Sequence, residues 1–173
     1  MSKIKVTFVS FIIVLVGLPI YYFYPEGKLP RGIEIDRMIV YKSKRQLLVY
    51  SKGNLQKTYT IALGRQPDGA KQFEGDRKTP EGVYYINDKN PNSGWHKNLG
   101  ISYPNQEDIK YARQLGKSPG GNIKIHGLRN KRGYIGKMHR WKDWTLGCIA
   151  VTNEEMDELY RAVVIGTKIE ILP

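Results

Sequence analysis

The sequence is built from short β-prone runs, each closed within a few residues by glycine, proline or a polar turn, and this pattern restricts the fold more than any other feature. Met38 to Tyr41 and Gln46 to Tyr50 flank Lys42-Ser43-Lys44-Arg45, which reads as a hairpin with a polar turn. Ser51-Lys52-Gly53-Asn54 makes a second turn, and Tyr59 to Leu63 reads as a strand ending at Gly64. Gly82-Val83-Tyr84-Tyr85-Ile86 follows a Thr79-Pro80 stop, Asn122 to Ile125 leads into His126, and Thr167 to Leu172 closes the chain. Helical signals are sparse. One helix is expected over Gln106 to Leu115. A second opens at Thr152, with Glu155 placed for a capping box, apolar Met156, Leu159, Tyr160 and Val163 at helical spacing, and Gly166 as its stop. Many strands and two helices imply a mainly β domain with a sandwich or barrel-like core. Neither an internal repeat nor a low-complexity tract interrupts it.

The N-terminus follows different rules. Val6 to Pro25 carries no charged residue, follows Lys3 and Lys5, and ends in Tyr21-Tyr22-Phe23-Tyr24. About 20 apolar positions span a bilayer as a helix, and aromatic residues suit its interface. No small-x-small cleavage site follows, so an uncleaved signal-anchor is expected over residues 1–25. A linker over residues 26–34 and a folded domain over 35–173 come next, the domain lying outside the cytoplasmic membrane on the periplasmic or extracytoplasmic side. A single cysteine excludes an intramolecular disulfide and fits an exported protein whose thiol serves chemistry. The formal net charge of +12 favours polyanionic partners such as an acidic wall polymer. The charge is spread along the chain, with no dense Lys/Arg run, zinc-ligand set or RNA-binding signature, which argues against nucleic acid.

The cysteine, Cys148, sits in the turn Thr145-Leu146-Gly147-Cys148, and His126-Gly127 ends an alternating strand upstream. A cysteine attacks as its thiolate and needs a base or a positive neighbour. His126 is the first candidate, with His139 and His96 as rivals. Gly127 and Gly147 permit close backbone approach, and the N–H groups around Gly147 and Cys148 offer an oxyanion site. A lone cysteine is more often an inert buried residue, so these residues alone also fit a wall-binding module that lacks chemistry.

Together these residues resemble the L,D-transpeptidases with a YkuD-type catalytic domain. The resemblance rests on His126-Gly127, on Thr145-Leu146-Gly147-Cys148-Ile149, and on Gly75-Asp76-Arg77-Lys78-Thr79-Pro80-Glu81-Gly82-Val83-Tyr84. The tail from Gly147 to Asn153 resembles the YafK-like branch. Two positions depart from the common pattern: Ala150 stands where many members carry arginine, and Leu146 where many carry histidine. The resemblance implies a YkuD-like β-sandwich or barrel and acyl transfer on peptidoglycan stem peptides. Cys148 would be the nucleophile and His126 the proton donor and acceptor, with Gly127, Thr145 and Gly147 at the substrate or oxyanion side. The segment Leu128 to Trp144 lengthens the His-to-Cys spacing, and its Arg129, Arg132, Arg140, Trp141 and Trp144 are the candidate substrate contacts. No metal or cofactor is called for. An amidase or L,D-carboxypeptidase would use the same pair with water as acceptor. A sortase-like enzyme shares the anchor and the His-before-Cys order, but here one residue fewer precedes the cysteine and His126 lies much nearer to it.

Overall fold

The computed structural model describes residues 15–173. The first part of the expected signal-anchor, residues 1–14, lies outside them. Residues 15–23 are helical (α1) and exposed except for half-buried Tyr22. Among the described residues no helix is long and apolar enough to cross a membrane.

The strands are β1 (Ile35–Tyr41), β2 (Gln46–Ser51), β3 (Asn54–Thr60), β4 (Gly82–Ser93), β5 (His96–Ile101), β6 (Lys124–His126), β7 (Ile149–Ala150) and β8 (Val163–Leu172). They form one mixed sheet in the order β3-β2-β1-β8-β4-β5-β6-β7. β1 runs parallel to β8, and β6 parallel to β7; the other pairs are antiparallel. Register shifts against β5 between Ile86 and Asp88, and again between Asn90 and Ser93, bend the long β4. The sheet curls until its ends meet: beyond β3, Ala62 and Ala150 exchange both backbone hydrogen bonds, 3.0 and 2.8 Å. The result is a curled, mainly β fold with few helices.

Alternation explains the burial. On β1, Met38 and Val40 face the core, and on β2 Leu47 and Val49 do; Ile169 and Ile171 do so on β8. Helix α2 (Gln106–Gln114) is capped by Asn105, and α3 (Asn153–Ala162) by Thr152. The capping box is formed as expected: Thr152 accepts from the Glu155 N–H and the Glu155 carboxylate accepts from the Thr152 N–H. Three expectations are corrected. Helix α3 ends at Ala162 rather than at Gly166, because Val163-Val164-Ile165 is a β-branched run that begins β8. The hairpin β4–β5 extends well beyond the single short strand expected there. Lys42 is not a solvated turn residue: its buried Nζ donates to Gly69 O, Thr79 O and the Glu81 carboxylate.

Candidate active site

Strand β6 places His126. Its register beside β7 pairs Ile125 with Ile149 and His126 with Ala150. Ile125 and Ile149 belong to the core, so alternation turns Lys124, His126 and Cys148 to the opposite face. That face is one wall of a cavity of about 640 Å³, lined among others by Asn98, Asn122, Lys124, His126, Trp144 and Cys148.

The turn before Cys148 is held from within. Thr145 Oγ1 donates to Cys148 O at 2.7 Å and accepts from the Gly147 N–H at 3.1 Å. Thr145 is therefore a buried turn-former that also lines the cavity, and the Gly147 N–H is already used. Gly147 has φ +134°, and a Cβ there would stand 2.7 Å from Lys78 O. Glycine is thus required both conformationally and by close approach. The contact joins the two sequence motifs, since Thr79 beside Lys78 also accepts from the Gly64 N–H and is anchored by Lys42. At Gly127 the constraint is steric alone: a Cβ would meet Asn153 Oδ1 at 2.8 Å and His96 Cβ at 3.0 Å. Asn153 Oδ1 accepts from the Leu128 N–H, so the first turn of α3 holds the chain as it leaves His126.

His126 is buried, and its Nδ1 lies 2.7 Å from Gly127 O. A carbonyl only accepts, so Nδ1 carries the hydrogen and Nε2 has the free lone pair. Trp95 and Trp144 pack on the ring, with centroids at 5.1 and 5.7 Å, and lie 5.4 Å from each other. Burial holds the imidazole below its ordinary pKa, partly offset by the bond to Gly127. Burial pushes the Cys148 thiol up, tempered by Lys124. The resting pair is therefore neutral imidazole and neutral thiol near pH 7. The thiol points at Asn122 O, 3.5 Å away.

The rival histidines separate clearly. His96 Nε2 pairs with Asp157 at 2.8 Å, away from the cysteine cavity. His139 is buried rather than solvated, and burial, Arg140 and His126 push it down to about 4. The arginines and tryptophans of 128–144 also divide. Arg140 is fixed by Glu26 and by Glu155 at 2.7 Å, and does not reach the cavity. Trp141 is exposed and lies 5.9 Å from the Tyr21 ring. Trp144 lines the cysteine cavity, whereas Arg129 and Arg132 line a neighbouring one. Sequence reasoning missed Trp95, Asn98 and Lys124. Lys124 was signalled by its place two residues before His126 on one strand; Trp95 and Asn98 come from the β4–β5 hairpin, whose irregular register hides its period.

The sequence profile of the L,D-transpeptidase catalytic domain, YkuD, matches residues 35–171. The chain is 29% identical to YafK of Escherichia coli K12 over 130 residues, 72% of this chain and 45% of that protein. In fold it is similar to the helical cell shape determining protein Pgp2 of Campylobacter jejuni, with TM-score 0.60 and 24% identity over 81% of this chain and 48% of that one. It is likewise similar to Bd1075 of Bdellovibrio bacteriovorus, with TM-score 0.54 and 21% identity over 84% of this chain and 50% of that one. The chain thus spans about half the length of these relatives. With the profile covering nearly the whole folded domain, the chain belongs to the L,D-transpeptidase catalytic domain family.

Proposed function

We propose that the domain is an L,D-transpeptidase acting on peptidoglycan stem peptides through a thioester on Cys148. The observation that carries this reading is the fixed tautomer of His126: Nδ1–H is held by Gly127 O, leaving Nε2 as a base on the cavity it shares with Cys148. In the first step Nε2 takes the thiol proton and Sγ bonds to the carbonyl carbon that precedes the terminal D-residue. The carbonyl oxygen takes the negative charge, and with the Gly147 N–H engaged the Cys148 N–H is the backbone donor left to meet it. The tetrahedral adduct collapses, the C–N bond breaks, and His126 returns the proton to the leaving amine. An amine from a second stem then attacks the thioester, gives its proton to His126, and the thiol re-forms. Water in place of the amine gives L,D-carboxypeptidase products from the same intermediate. Product analysis with and without an amine-bearing stem tests the transfer reading: cross-linked product that depends on the acceptor is expected, and hydrolysed stems alone would overturn it.

The same reading places the domain beside the membrane, in the periplasmic or equivalent extracytoplasmic space. Exposed Phe23, Tyr24, Tyr134 and Trp141 gather where α1 meets segment 133–141, as interfacial aromatics do. Alkaline extraction of membranes from expressing cells is expected to leave the full chain in the pellet, with the domain digested by protease added outside the cytoplasm; release by alkali would contradict it.

A further inference from the structure

Asn98 is a buried amide next to His126 that the acyl-transfer scheme leaves without a role. Strands β5 and β6 are antiparallel and pair Asn98 with His126. The register positions on either side carry the backbone bonds: the Gly127 N–H donates to Lys97 O at 3.3 Å, and the Ile101 N–H donates to Ile123 O at 2.9 Å. Alternation along the ladder therefore makes Asn98 and His126 a non-hydrogen-bonded pair. Side chains are closest in such pairs, with Cβ atoms roughly 4.5–5.5 Å apart. Leu99 and Ile125, one step along, point into the core, so both side chains of the pair turn to the cavity that also holds Cys148.

Asn98 is only 4% exposed, yet its Oδ1 has no hydrogen-bond partner among the described residues. Buried polar atoms are normally paired, and an unpaired one beside a reactive group suits a partner that exists only during the reaction. The resting imidazole offers no such partner, because its one N–H, on Nδ1, is spent on Gly127 O. Taking the thiol proton changes this. The ring gains a second N–H, at Nε2, together with a positive charge, while the negative charge passes through Sγ to the carbonyl oxygen of the bound peptide.

That positive charge forms in poor surroundings. Trp95 and Trp144 cover the ring, and burial already disfavours its charged form. Arg65 and Lys124 are the charged side chains on the cavity, Cys148 is its other titratable group, and His139 stands beyond Trp144. His96 of β5 and Asp157 of α3 are paired with each other away from it. No carboxylate lines the cavity to offset an imidazolium. A fixed amide dipole counts for more in such a site than in water. We propose that Asn98 is a positioning residue for His126: its Oδ1 faces the imidazolium formed during attack and supports the charge, through Nε2–H, until the leaving amine takes that proton. This rests on the acyl-transfer reading and deepens it.

The full chain, labelled in its histidines and carrying Cys148→Ala to keep the thiol out of the titration, is titrated by NMR. Acylation of unsubstituted Cys148 by a tetrapeptide stem is followed in parallel by mass. Asn98→Leu removes the amide at nearly constant volume. It is expected to lower the His126 midpoint by about one pH unit and to slow acylation at pH 7 about tenfold, the scale of one hydrogen bond to a charged group. Asn98→Asp is expected to raise the midpoint above that of the chain with Asn98, because a carboxylate oxygen in place of Oδ1 favours the imidazolium. This second variant decides the matter if Asn98→Leu does not fold. A midpoint that stays put in Asn98→Leu, or fails to rise in Asn98→Asp, overturns the proposal. So does slower acylation with an unmoved midpoint, which would make Asn98 a substrate contact instead. Shifted midpoints in a chain that the stem peptide never acylates uphold the coupling of Asn98 to His126 and overturn the acyl-transfer reading alone.

Discussion

At the residue scale, reactivity depends on how burial treats two groups of opposite charge type. Desolvation penalises the thiolate and the imidazolium alike, so it raises one pKa and lowers the other and leaves a neutral pair. Under the proposed acyl transfer the nucleophile would be generated during attack rather than stored as an ion pair, and the Gly127 carbonyl would decide which nitrogen receives the proton. A pH dependence follows. His126 acts as a base only when unprotonated, and its pKa lies below the ordinary value, so acylation should rise with pH through a midpoint below about 6.5. A midpoint at or above the ordinary histidine value would show that burial does not tune this residue. Cys148, His126 and the need for glycine at 127 and 147 were legible in the sequence, because each depends on local chemistry. The neutralising setting was not, since Trp95 and Trp144 reach His126 only through the folded sheet.

At the scale of elements, segment 128–144 is the part whose sequence was most misleading. No helix was expected over it, yet it wraps into 3-10 turns over Gly133–Trp141 that bury His139, and its Asp143 is tied to Arg45 and to the Leu63 N–H. Period-based reading fails there because Gly136 breaks the helix with φ +48°. The helices were legible for the opposite reason: Asn105 and Thr152 write their caps into adjacent residues. Buried His139 carries a stability consequence. Its folded pKa, about 4, lies below that of the unfolded chain, so the unfolded state binds the proton first. Stability is therefore greatest above pH 6.5 and falls as pH drops towards 4, by at most about 3 kcal/mol from this residue. Urea midpoints at pH 7 and 4.5 should draw closer together in His139→Phe. They should not coincide, because His126 is depressed as well. An unchanged gap would contradict the burial argument.

At the scale of the whole molecule, three distant parts of the chain converge on Arg140. Its guanidinium bonds Glu26 of the linker at 2.6 and 3.0 Å and Glu155 of α3 at 2.7 Å, and Lys137 beside it donates to Tyr24 O. Burial works against this charge, but the two carboxylates outweigh it and hold the arginine protonated. Breaking a buried ion pair leaves a charge without its partner, so Arg140→Ala should cost about 3 kcal/mol, whereas exposed Arg129→Ala should stay within about 0.5 kcal/mol. Denaturant midpoints of the two variants check this, and equal effects would show that the tether is not structural. Such convergence was invisible in the sequence because the partners of Arg140 lie far apart along the chain, while the mainly β class was legible from turns and alternation. The central claim is that Cys148, served by His126, forms a thioester with a stem peptide. Intact-protein mass spectrometry of the full chain with a defined tetrapeptide tests it most directly. The account predicts an adduct equal to the peptide less its terminal D-residue and water, on Cys148, absent in Cys148→Ala and strongly reduced in His126→Ala. The same adduct on the Cys148→Ala chain, or release of the terminal D-residue at an undiminished rate by that variant, would contradict it.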